Sequence, residues 1–151
     1  MNEDIASLKT ILRLRERDLE RCERAAAAAR KEVMEAERCE SAAASACNRA
    51  TAACEQAMAT QLRTPGDPLV QLHCKAVAAR VDSARACLGQ ARTALQEACA
   101  LADNVRHEWL RARARRDAIA SQLERAVQQW RRHLNRKAEE DQPPFCRPAA
   151  A

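Results

Sequence analysis

Eight cysteines, three histidines and several runs of arginine are the residues of this chain whose types could do chemistry. Eight cysteines suit a disulfide framework in a small secreted protein, or a metal site if they fall two to four residues apart. Neither pattern is present: there is no Cys-x-x-Cys, and neighbouring cysteines are seven or more residues apart. Met1-Asn2-Glu3-Asp4 is not the start of a signal peptide, so the cysteines are expected to be reduced, acting as small hydrophobes in a cytoplasmic protein. His73, His107 and His133 lie too far apart to share a ligand. No glycine-rich phosphate loop occurs, and no nucleophile and base can be placed together. No catalytic residue, cofactor or metal is expected.

The arginines remain. They fall in Arg106–Arg116 and in Arg131-Arg132-His133 to Arg136-Lys137, within a chain of formal net charge +5. From Asn2 to Leu62 there are ten Lys/Arg against eleven Asp/Glu, whereas Leu69 to Ala138 has fourteen against six. The excess positive charge therefore sits in the second half. Such runs are compatible with a solvated face, with an acidic protein surface as partner, or with nucleic-acid phosphates.

What must position these residues follows from composition. The chain is 47% hydrophobic and 31% charged, yet it holds only two Trp, one Phe, no Tyr and two Gly. Much of the apolar fraction is alanine, which fits long helices and coiled coils better than a wide core. Uninterrupted apolar runs, five residues at most as in Ala25 to Ala29, are far too short to span a bilayer.

Heptad spacing is continuous. From Ile5, alternating steps of three and four run through Leu8, Leu12, Arg15 and Leu19 to Cys54 and Ala57, with Arg15 and Glu40 as the charged exceptions. A second seam runs from Val70 through Val77, Leu95 and Trp109 to Trp130, broken by Arg116 alone. Between the seams lies Thr64-Pro65-Gly66-Asp67-Pro68. Proline ends a helix, Thr64 before it is pushed out of the α region, Gly66 permits positive φ, and Asp67-Pro68 restarts a helix as N-cap and first residue.

The predicted fold is all-α, a long antiparallel two-helix coiled-coil hairpin over residues 1–140. Its parts are a helix at 2–62 capped by Asn2, a turn at 63–68 and a helix at 69–140, with a disordered C-terminal tail at 141–151. At 1.5 Å per residue the rod would be on the order of 100 Å long. Folding about Pro65 and Gly66 pairs residues whose numbers sum to 131, so Leu12 meets Ile119, Cys22 meets Trp109 and Cys54 meets Val77. Arg15 then meets Arg116, with Glu16, Asp18 and Asp117 near enough to compensate. Glu40 opposite Ala91 has room to escape. Because the basic runs sit on a continuing seam rather than beside one, they form one face of a packed helix. Ile11, Leu14, Leu101, Leu110 and Leu134 are bulky residues off the seam, most of them at the end where the termini meet.

A small, Ala/Arg-rich hairpin with a basic second helix resembles the FliJ/YscO family, the central-stalk proteins of bacterial type III secretion and flagellar export. The local match is Leu69-Val70-Gln71-Leu72-His73-Cys74-Lys75-Ala76-Val77-Ala78-Ala79-Arg80 after the turn. It is similar to the flagellar member's gate-contacting face, with Leu69 standing for an aromatic, His73 for a leucine, Ala76 for the identical alanine and Arg80 for a histidine. The resemblance implies a shaft like the γ subunit of rotary ATPases. Its end with both termini would enter a hexameric secretion ATPase, using Ile11, Leu14, Arg111, Arg113, Arg115 and the basic C-terminal helix. Its turn end would face the export gate and chaperones, placing the protein at the cytoplasmic base of the apparatus. The alternatives are a general coiled-coil scaffold or adaptor, and a basic nucleic-acid-binding helical protein. Since an alanine-rich seam buries little area per layer, self-association is also expected.

Overall fold

The computed structural model describes residues 2–140. They form two helices, α1 (Asn2–Arg63, 62 residues) and α2 (Pro68–Glu140, 73 residues), packed antiparallel as an all-α hairpin. The boundaries differ by one residue on each side of the turn from those predicted. Arg63 still belongs to α1, and Pro68 is the first residue of α2 because its fixed φ suits that position. The expected tail at 141–151 lies outside the described residues, as does the side chain of Asn2. Glu3 and Asp4 occupy the first turn of α1, where the helix dipole favours negative charge.

The turn is built from capping bonds. At the end of α1 the Thr64 amide and hydroxyl both donate to the Thr60 carbonyl, at 3.1 and 3.0 Å. The Asp67 amide donates to the Thr64 carbonyl at 3.4 Å and closes the reversal. Asp67 then caps α2: its carboxylate accepts the Leu69 amide at 2.8 Å, while its carbonyl takes the Gln71 amide at 3.1 Å. The Gln71 side-chain amide reaches back to the Pro65 carbonyl at 3.3 Å. Neither glycine has positive φ, so the left-handed conformation allowed at Gly66 is not used. The two prolines and the Asp67 cap reverse the chain without it.

Threonine hydroxyls within the helices find partners on their own helix. Thr10, Thr51, Thr60 and Thr93 each donate a hydroxyl to the carbonyl four residues earlier. Every seam position from Ile5 to Ala57 and from Val70 to Trp130 is buried or half-buried, as the heptad pattern predicts. Burial is nonetheless thin. Among the described residues only Ile5, Leu19, Ala29, Ala57, Val77 and Val81 are buried, all of them on the seam, and no side chain is below 2% exposed.

Contacts divide the chain into two units, one of residues 1–24 with 107–151 and the other of residues 25–106. In the second unit the register is visible in single bonds. The Cys74 thiol donates to the Ala57 carbonyl at 3.2 Å, a pair whose numbers sum to 131. Glu40 does not merely escape from the seam: it accepts from the Arg92 guanidinium at 3.2 Å, joining the helices across the interface. In the first unit Arg15 and Arg116 lean outward to opposite carboxylates, Asp18 at 3.6 Å and Asp117 at 2.8 Å. Each keeps about 40% of its side chain in solvent. The aliphatic stems fill the layer while the charged ends leave it.

Candidate functional site

The first unit carries a groove between the helices. Arg15, Asp18, Arg21 and Cys22 line it from α1, and Glu108, Arg111, Ala112 and Arg115 from α2. Asp18 binds both arginines of its own helix, Arg15 at 3.6 Å and Arg21 at 3.2 Å. On the other wall, Arg111 and Arg115 are one turn apart and form no ion pair among the described residues. Two guanidinium groups, each with a planar fork of donors, are thus presented together. Chemically the groove can take carboxylates or another planar anion.

Next to it is an apolar shelf. Ile11 is 38% and Leu14 54% exposed, and with Arg15, Arg17 and Asp18 they line a recess that shares two residues with the groove. Ile11, Leu14, Arg111 and Arg115 are therefore brought to neighbouring recesses of one unit. Arg113 is not with them. Its guanidinium lies 5.6 Å from the Trp109 ring centroid and 3.9 Å from Asp117, so it braces α2. Trp109 and Trp130 are half-buried at seam positions, and Trp130 stacks on His133 with centroids 5.8 Å apart.

The residues near the turn are in the second unit. Leu69 is 75% exposed, and His73, Ala76 and Arg80 are exposed too, at intervals of four, three and four residues along one side of α2. Beside them is a feature that the sequence reading passes over: Met58, Leu62 and Leu72 are 57%, 84% and 65% exposed. Their signal is positional, since large apolar residues off the seam have no partner helix to cover them. Of the other off-seam leucines, Leu110 and Leu134 belong to the first unit and Leu101 to the second.

Among the described residues no three His, Cys, Asp or Glu side chains form a metal-holding group. None of the described helices is long and apolar enough to cross a membrane. No family model, curated protein or solved structure matches this chain.

Proposed function

We propose that this chain is the non-enzymatic coiled-coil stalk of a type III secretion apparatus. It inserts into the hexameric secretion ATPase and couples that ring to the export gate and to secretion chaperones. The observation that carries this reading is the face of the first unit, where Arg111 and Arg115, without an ion pair among the described residues, stand beside the exposed Ile11 and Leu14. A basic surface studded with apolar groups suits a protein partner better than a phosphate backbone, because the apolar groups supply the desolvated core of an interface. The unbroken course of α1 and α2 supports the same reading, since a shaft that transmits asymmetry needs stiffness. Leu69, His73, Ala76 and Arg80 are the gate-contact candidates, and Arg113 supports the ATPase contact through Trp109.

The test is to add the purified protein to the type III ATPase encoded in its own genome. Hexamer formation and ATP hydrolysis should both rise. If both are unchanged, the stalk reading fails in favour of a general scaffold. Binding to nucleic acid that weakens steeply with added salt would instead point to phosphate recognition.

A further inference from the structure

We propose that the groove of the first unit seats an acidic protein segment, one that carries two neighbouring carboxylates and an apolar side chain beside them. This deepens the stalk reading and rests on it for the source of the segment, which the ring of the secretion ATPase supplies.

Charge complementarity names the occupant. Arg111 and Arg115 are exposed, one turn apart on the same wall, and form no ion pair among the described residues. Side chains at that spacing start about 6 Å apart. Neighbouring side chains on one face of a helix or a strand have a similar spacing, so two carboxylates of one segment can each meet a guanidinium. On the facing wall Arg15 and Arg21 are already engaged by Asp18, at 3.6 and 3.2 Å.

The groove's own carboxylates decide the kind of anion. Asp18 and Glu108 line it beside four arginines, which leaves an excess of two positive charges. That suits a pair of carboxylates. A DNA duplex carries one negative charge per about 1.7 Å of its axis, and a chain of that density sets phosphates against Asp18 and Glu108 as well as against the arginines. The neighbouring recess favours protein too. Ile11 and Leu14 are 38% and 54% exposed there, and Arg15 and Asp18 line both recess and groove. An apolar group seated on them covers hydrocarbon that a phosphate backbone or a small anion leaves wet, and excluding water strengthens the adjoining charge pairs.

The experiment has two arms. In the first, the full chain, isotope-labelled for NMR, is titrated with an acetylated and amidated peptide whose two glutamates flank a leucine. The side-chain Nε–H signals of Arg111 and Arg115 should shift, and that of Arg113, held by Trp109 and Asp117, should not. The same peptide with glutamine for glutamate should move neither. Equal shifts with the glutamine peptide, or larger ones with a DNA duplex at equal concentration, overturn the proposal. In the second arm, the secretion ATPase from the same genome is titrated with the chain and with Arg111→Gln/Arg115→Gln. Circular dichroism of the two should match, because neither arginine holds an ion pair among the described residues. Affinity should fall at least ~10-fold in the variant. Binding that the variant leaves intact overturns the groove and keeps the stalk. Absence of ATPase binding by either chain, with the peptide shifts present, overturns the stalk and keeps the groove.

Discussion

Arg116 sits where seam and surface compete. Its seam position demands an apolar side chain, and the guanidinium answers by reaching out to Asp117 at 2.8 Å. The cost of that compromise is local: the Arg116 Nε is buried with no hydrogen-bond partner. A buried unsatisfied donor is worth about 1–3 kcal/mol. Arg116→Leu is accordingly expected to stabilise the chain by about 1 kcal/mol, read as a higher urea midpoint at unchanged slope. A lower midpoint would mean that the pairing with Asp117 outweighs the orphaned Nε. Gly89 is a simpler case. It lies inside α2, exposed, and an added Cβ meets nothing within 4 Å. Gly89→Ala should raise stability by roughly 0.5–1 kcal/mol through helix propensity alone. At this scale the sequence identifies which residues break the seam, because heptad spacing is arithmetic. It does not identify their partners. Arg92 is the residue after Ala91, the one that the register sets opposite Glu40, and only the direction of its side chain makes it the ion-pair partner.

The elements owe their ends to short-range chemistry and their length to each other. Asp67 is the clearest local device, accepting the Leu69 amide at 2.8 Å. Asp67→Ala should destabilise the hairpin by about 1 kcal/mol, while Asp67→Asn or Asp67→Ser should recover most of it. Equal losses in all three variants would show that the cap is not the cause. The packing of α1 on α2 has its own test. In a chain stripped of its native cysteines, Leu12→Cys/Ile119→Cys should form a disulfide within one molecule, since the register sets these two seam residues opposite each other. Disulfides found solely between molecules would defeat the register. The prolines and Asp67 make the turn legible from sequence, whereas the conformation of Gly66 is not. A glycine permits positive φ without requiring it, and here the capping bonds close the reversal without using it.

At the scale of the molecule, the two units present different surfaces. Among the described residues, the first holds the groove in which Arg111 and Arg115 form no ion pair, and the second holds the exposed Met58, Leu62, Leu69 and Leu72. Arg111→Glu/Arg115→Glu is expected to weaken binding to the cognate secretion ATPase by more than about tenfold, since close interfacial charge pairs couple by several kcal/mol. Arg113→Gln should act mainly through α2, lowering thermal stability slightly because it loses Trp109 and Asp117. Calorimetric titration with each variant, alongside its melting curve, separates the two roles. Matching losses of affinity in both would remove the distinction between groove and brace.

By itself the sequence determines the hairpin: two seams, a proline turn and a register summing to 131 leave one antiparallel pairing that buries the apolar residues. Helical periodicity is a local property, and it survives without knowledge of any neighbour. Only the tertiary structure decides which surface groups are free. Arg111, Arg113 and Arg115 alternate with alanine and look equivalent along the chain. Once α2 is packed, two of them face the groove with no ion pair among the described residues, and one turns to Trp109 and Asp117. The same packing leaves Leu62 and Leu72 uncovered beside the turn. Whether a side chain has a partner depends on what lies across from it, and a periodic pattern along one strand of sequence does not contain that information.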